Sequence, residues 1–331
     1  MYPWQTQQWQ HIMQSTSLPH ALLLRGRAGA GKHDFAIEVS QSLLCSKPQQ
    51  ARACGACPSC TWFAEGNHPD FRLISPEDTD ESEDAPKKKF SKKSQISVVQ
   101  IRQLIDYLSL SSHQVNSQRV ILISPAETLN LTSANALLKM LEEPPANTLF
   151  LLVTSQPQRL LPTILSRCQA VDMQLPSKAD ALIWLKTKNV MNVESSLDYA
   201  GGSPLLALQI AGEHDASANL IKNLTLGANL DPFVSAPLFL SLGMERALSA
   251  LQKWTFDLTA CKLVQCVHYH AGHGGALQAL CKSVNLSALL SFQDKLLAAK
   301  KTADHPLNNE LQLENILLQY TNLFRSVNVS M

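Results

Sequence analysis

No stretch of this sequence is apolar over the length needed to cross a bilayer as a helix, so a membrane-embedded role of that kind is excluded. An excess of charge of one sign is also missing. Against 28 Lys and Arg stand 27 Asp and Glu, and the formal net charge of +1 gives no global basic field for gripping nucleic acid. Any DNA contact must then come from a local patch or from a surface shared within an assembly. The first residues carry no signal-peptide pattern, and a cytoplasmic setting is the expectation. Nor is the chain polar enough to be disordered as a whole: at 331 residues, 45% hydrophobic and 17% charged, it can bury sizeable cores and should divide into two or three domains.

A hydroxyl is missing at one informative place. Gly26-Arg27-Ala28-Gly29-Ala30-Gly31-Lys32-His33 follows the apolar run Ala21–Leu24 and precedes the helix-like Asp34–Val39, the strand–loop–helix setting of a Walker A phosphate loop. Such a loop ends in Ser or Thr because that hydroxyl ligates Mg²⁺, and His33 has none. Gly26, Gly29, Gly31, Lys32 and His33 therefore form a degenerate nucleotide loop, able to cradle an anion but poorly suited to phosphoryl chemistry. Lys32 is retained, which leaves weak nucleotide binding open.

Four cysteines follow at once. Cys45, Cys54, Cys57 and Cys60 make a C-x8-C-x2-C-x2-C run, whose thiolates can converge on one tetrahedral Zn²⁺ and leave no open position for water. That predicts a structural site. Two disulfides are the alternative, disfavoured in a cytosolic chain. A second group, Cys261, Cys266, His268, His270, His273 and Cys281, lacks tight C-x2-C pairing and reads as ordinary helical-core residues rather than a metal site.

Up to residue 172, strand and helix signals alternate. Ala21–Leu24, Phe71–Ser75, Val120–Ser124 and Leu149–Thr154 have the length of buried parallel strands, which predicts an α/β sheet. Acidic residues Glu77 to Asp84 and then basic residues Lys87 to Lys93 form segregated charge blocks, expected to be a solvated loop over about 76–95. An amphipathic helix is predicted from Ile96. Past Leu175-Pro176 the strand signals stop. Residues 177–212 read as two or three short helices, with a new helix starting at Pro204, and the rest as long Leu- and Ala-rich helices such as Met244–Lys253 and Leu286–Lys300.

These motifs, with Pro19-His20-Ala21, His68-Pro69-Asp70, Asn135–Pro145 and Leu165-Ser166-Arg167-Cys168 in this order, resemble the bacterial clamp-loader subunits of DNA polymerase III, members of the AAA+ family. The resemblance covers nearly the whole chain. It implies a RecA-like parallel-sheet domain over 1–172 with an inserted zinc module at about 45–62, a small helical lid over 173–212 and a C-terminal helical collar over 213–331. It also implies a hetero-oligomeric ring with gamma/tau and delta subunits, acting on a sliding clamp and primer-template DNA. By the same resemblance Arg167 matches an arginine finger, a guanidinium offered in trans to a neighbouring subunit's ATP.

Departures from an active ATPase accumulate. The strand Val120–Ile123 runs into Ser124-Pro125 where a Walker B motif needs carboxylates, and Glu127 lies further along, expected to point elsewhere. After Gly202-Ser203 stand Pro204 and Leu205 where active relatives carry an Arg. The reading is a non-hydrolysing stator of the loader, with an ATP-hydrolysing gamma/tau-type subunit as the alternative. A zinc module gripping DNA is a third, opposed by Arg52 being the only cation in Ala51–Trp62. The apolar residues of Asn135–Glu143 are expected to pack, and Lys139 is a weaker candidate for a DNA phosphate.

Overall fold

The computed structural model describes residues 1–15, 17–76, 95–109, 118–211, 214–301 and 308–325, so the charge blocks expected to form a loop lie outside the described residues. The chain divides into two compact units, Met1–Pro176 and Ser177–Met331.

The first unit is built on five parallel strands: β1 (Ala21–Arg25), β2 (Phe71–Ile74), β3 (Arg119–Ile123), β4 (Thr148–Thr154) and β5 (Gln169–Asp172), in the order β2-β3-β4-β1-β5. Because side chains alternate across a strand, each apolar run feeds two cores. Leu23, Ile121, Ile123, Phe150 and Leu152 bury one face, and Leu22, Leu24, Val120, Leu122 and Leu151 bury the other. Helices cover both. α1 (Thr6–Met13) and α2 (Lys32–Leu44) bring Trp9, Phe35 and Val39 to the second core. After α3 (Pro58–Ala64), α4 (Val98–Ser109), α5 (Leu131–Glu142) and the single turn α6 (Pro162–Leu165) bring Ile101, Leu137 and Ile164 to the first. In α5 the side chain of Asn130 caps the helix, accepting from the backbone N–H of Ser133 at 2.8 Å, and the helix stops before Pro144-Pro145. The fifth strand has no counterpart in the sequence expectation. Its residues Gln169-Ala170-Val171-Asp172 are polar at both ends and only Val171 is buried, so there is no apolar run to find.

The second unit is all-helical: α7 (Lys178–Thr187), α8 (Val193–Tyr199), α9 (Pro204–Ala211), α10 (His214–Leu224), α11 (Pro232–Leu240), α12 (Met244–Val264), α13 (Gly274–Ser283), α14 (Leu286–Lys301) and α15 (Asn309–Arg325). Its apolar residues fall into two clusters. Ala181, Leu185, Leu197 and Ala207 form the smaller, within α7 to α9. The larger runs from α10 to α15 around Trp254 and Tyr320. There Trp254 Nε1 donates to Tyr320 Oη at 2.8 Å, and that hydroxyl donates on to the Leu224 carbonyl at 2.7 Å, so three helices are tied by fully used polar atoms.

Two histidines of the His/Cys group, His268 and His270, close onto a buried carboxylate. Asp257 of α12 is fully buried and accepts from the backbone N–H groups of His268 at 2.9 Å, Tyr269 at 3.1 Å and His270 at 2.8 Å, with His270 Nδ1 also 2.8 Å away. Burial pushes this carboxyl up, but the His270 and backbone hydrogen bonds outweigh it and hold the group below its ordinary range. A depressed carboxyl contributes stability that is present above its unfolded value, 3.8, and lost as pH falls through the folded one. Asp257→Ala is expected to cost about 3–5 kcal/mol, since it strands four donors facing a buried site. The check is the urea midpoint of the unfolding transition reported by Trp254 fluorescence.

Candidate functional site

The loop after β1 lies at the C-terminal edge of the sheet, where the ends of β3 and β4 also converge, the usual place for a ligand in an open parallel sheet. Gly31 closes the loop at φ +81° and Lys32 opens α2 directly behind it. The two loop side chains that would serve a nucleotide, Lys32 and His33, are engaged by the chain itself. Lys32, 5% exposed, donates from Nζ to the carbonyls of Gly26 at 2.9 Å and Arg27 at 2.8 Å and to Ser155 Oγ at 3.0 Å. Desolvation pulls its pKa down to about 8, opposed by the negative charge of Glu127.

Ala30 and Gly31 are covered from the N-terminus. Trp4 Nε1 donates to the Ala30 carbonyl at 3.1 Å, and Gln5 Nε2 donates to the carbonyls of Ala30 at 3.0 Å and Gly31 at 2.9 Å. The Tyr2 ring lies so close over Gly31 that a Cβ there would meet it at 2.5 Å, and Tyr2 Oη donates to Asp34 Oδ2 at 2.6 Å. Gly26 is equally confined, its missing Cβ falling 2.1 Å from the Met173 carbonyl oxygen. His33 Nδ1 and Ser124 Oγ, which stand where an active site needs a Mg²⁺ hydroxyl ligand and a carboxylate, lie 2.9 Å apart and hydrogen-bond to each other.

Two residues differ from expectation or escaped it. Glu127 does not point away. A short turn over Ala126–Thr128 brings its Oε1 to the Ser155 N–H at 3.1 Å, and from there its negative charge favours the charged form of Lys32. Ser155 itself went unnoticed, because a single Ser after a strand carries no sequence signal.

The four cysteines converge. Cys45 ends α2, Cys54 follows the Gln49–Arg52 bridge, Cys57 caps α3 and Cys60 sits in its first turn. Their sulfurs all lie within 4.8 Å of one another, with Cys45 Sγ 3.6 Å from Cys54 Sγ and 3.8 Å from Cys57 Sγ. Tetrahedral bonds of about 2.3 Å to one ion place sulfurs about 3.8 Å apart, so the donor set can hold a metal ion. The thiols are already differentiated: the Cys60 backbone N–H lowers Cys57 to about 5, while burial raises Cys60 to about 12. A bound cation would leave all four as thiolates.

His68 braces this module. Its Nδ1 accepts from the Asp70 N–H at 3.1 Å, which leaves the proton on Nε2, facing Ser59 Oγ at 2.8 Å. Ser59 Oγ then donates to the Leu44 carbonyl at 2.6 Å, so one relay ties the neighbours of Cys45 and Cys60. Burial lowers the His68 pKa, in keeping with a neutral ring.

Arg167 is on the far side of the α6 turn, about one-third exposed. Its Nη2 pairs with Glu142 Oε1 at 2.6 Å and its Nη1 donates to the Thr163 carbonyl at 3.1 Å. Cys168 behind it is mostly buried, its thiol raised by desolvation to about 11, and so is no nucleophile. Apolar residues Leu137, Met140 and Leu141 of α5 pack inward as expected, and Lys139 lies in the last turn of that helix.

The parallel sheet, the glycine-rich loop after its β1 strand and the helical second unit define an AAA+-type protein carrying a four-cysteine module. The family model described as "DNA polymerase III, delta subunit" matches residues 2–177. A DNA polymerase III subunit delta′ from Pseudomonas aeruginosa is 33% identical over 98% of this chain and 98% of its own length. The subunit delta′ of Escherichia coli is 32% identical over 63% of this chain and 60% of its own. The chain belongs to the DNA polymerase III delta-prime subunit family. Among the described residues no helix is long and apolar enough to cross a membrane.

Proposed function

We propose that this chain is a non-hydrolysing stator of a cytoplasmic clamp loader, which holds gamma/tau and delta subunits in a ring, helps place a sliding clamp on primer-template DNA and lends Arg167 to a neighbour's ATP. The observation that carries the reading is the closed loop: Lys32, His33, Ala30 and Gly31 are all bonded within the chain, while Arg167 remains at the surface. To reach another subunit the guanidinium would exchange its pair with Glu142 and its bond to the Thr163 carbonyl, and a partly exposed pair of that kind contributes only about 0–1 kcal/mol. Zinc is the metal assigned to the cysteines, because four thiolates at this spacing suit its tetrahedral closed sites and soft-ligand preference.

In this reading the RecA-like domain covers 1–172, the lid 173–212 and the collar 213–331. The collar's exposed apolar residues favour association: Phe233, Val234 and Leu238 on α11, Leu290 and Leu297 on α14. The lid lacks the γ-phosphate cation, Pro204 and Leu205 opening α9 where it would stand.

The ATP-hydrolysing alternative has Glu127 beside Lys32 in its favour. Against it, one carboxylate cannot both ligate Mg²⁺ and orient the attacking water, and His33 and Ser124 occupy each other. The isolated chain is therefore expected to hydrolyse no ATP above background, and Lys32→Ala to leave clamp loading by the reconstituted ring nearly unchanged. Steady-state phosphate release measures the first, and transfer of a labelled clamp onto primed DNA the second. Turnover by the isolated chain that Lys32→Ala abolishes would reverse the assignment in favour of the alternative.

A further inference from the structure

Eight cysteines are present, and three outside the four-sulfur module lie in the second unit. Two of them meet. Cys261, in the penultimate turn of α12, and Cys281, near the end of α13, are 20 residues apart in sequence, yet their sulfurs are 3.3 Å apart. Among the described residues no third Cys, His, Asp or Glu completes a metal-binding group around them. We propose that Cys261 and Cys281 are a site of reversible thiol–disulfide modification, at which a low-molecular-weight disulfide of the glutathione type oxidises the pair and staples α12 to α13.

The environments of the two thiols assign an order to the steps. Cys281 is partly exposed, with its sulfur donating to the Gln278 carbonyl at 3.3 Å, and is the more accessible of the two, so an external disulfide reaches it first. Cys261 is 4% exposed and shielded from the reagent. The Cys281 thiolate attacks one sulfur of the small disulfide, forming a mixed disulfide and releasing one small thiolate. Cys261 then gives up its proton to solvent and attacks the Cys281 sulfur, expelling the second small thiolate. Two protein thiols have been oxidised to one disulfide and one small disulfide reduced to two thiols, so atoms and electrons balance.

The second step is favoured by placement. Closing from 3.3 Å to a bond of about 2.05 Å requires roughly 1 Å of movement. An attack between groups already in contact behaves as if the nucleophile were present at very high concentration, which offsets the burial that raises the Cys261 thiol to about 11. The helices are already held where the bond needs them: Lys262 Nζ donates to the Cys281 carbonyl at 2.9 Å, across the same α12–α13 contact.

The experiment incubates the full chain with oxidised glutathione, quenches with acid and maps peptides without reduction. A Cys261–Cys281 linked peptide, lighter by two hydrogens, should dominate, and the free-thiol count of the denatured, metal-free chain should fall from eight to six, returning to eight with dithiothreitol. Cys261→Ser should stop the reaction at a glutathione adduct on Cys281, whereas Cys266→Ser should form the same Cys261–Cys281 bond, its free-thiol count falling from seven to five. A persistent glutathione adduct on Cys281 of the unaltered chain would overturn the proposal. So would linkage of Cys281 to the exposed Cys266 or to a second chain, or no reaction at either residue. The cysteines of the metal module fall on other peptides, so their oxidation cannot be mistaken for this bond.

Discussion

Rings reconstituted with Arg167→Ala are expected to assemble normally and to lose ATP hydrolysis at one site only. The pair with Glu142 is partly exposed on both sides, and ion pairs of that kind contribute about 0–1 kcal/mol, so folding and ring formation should be nearly unaffected. At the neighbouring subunit's ATP the effect is of another order, because a finger stabilises charge developing on the transferred phosphoryl, commonly worth ~10³–10⁵ in rate. The whole-ring rate falls only partly if other fingers serve other sites. Arg167→Lys should rescue poorly, since an ammonium lacks the planar fork that contacts two oxygens together. The measurement is DNA-stimulated ATPase of rings in which only the neighbour of this chain is competent, with assembly checked by sizing. Equal rates with wild-type and Arg167→Ala subunits would return Arg167 to the status of a surface charge held by Glu142 and the Thr163 carbonyl.

The second large effect belongs to the metal. The purified, reduced chain is expected to carry about one tightly bound zinc per molecule, and Cys57→Ser to lose it. Removing one of four sulfurs breaks the closed coordination, and the binding energy of a structural zinc is folding energy, on the order of 10–16 kcal/mol in small zinc peptides. The loss should fall on residues 45–70, where Cys45 ends α2, Cys60 lies in α3 and the His68–Ser59–Leu44 relay depends on both helices staying in register. Hydrogen exchange should rise there first, while the β1, β3 and β4 amides stay protected by the apolar cores on both faces of the sheet. Elemental analysis of fresh reduced protein that finds no zinc would end this assignment.

Much of the first unit was open to inspection in the sequence because its central strands are buried on both sides. Ala21–Arg25, Arg119–Ile123 and Thr148–Thr154 must be nearly continuous apolar runs, and continuous runs are visible. Strand β5 escaped because Gln169 and Asp172 leave it only two apolar residues, whereas β2, the other edge, carries Phe71, Leu73 and Ile74. Helix ends were readable where local chemistry sets them, as at Pro204 and before Pro144-Pro145. α12 runs past Lys253 to Val264 because Trp254, Leu258 and Cys261 continue its buried stripe.

The sequence by itself determined the parts that rest on residue type at fixed spacing: four cysteines able to meet one ion, a glycine loop without its hydroxyl, a β3 strand that ends in Ser124 and not in a carboxylate. Such features are local, and covalent geometry carries them into the fold unchanged. Only the tertiary structure decided how the loop is closed. Tyr2, Trp4 and Gln5 come from some 25 to 30 residues upstream of it, Ser124 and Ser155 from far downstream, and no spacing rule links positions that separate strands bring together. The same holds for Glu127, turned toward Lys32 by a short helical turn, and for the contact of Cys261 with Cys281, which exists because two helices pack side by side.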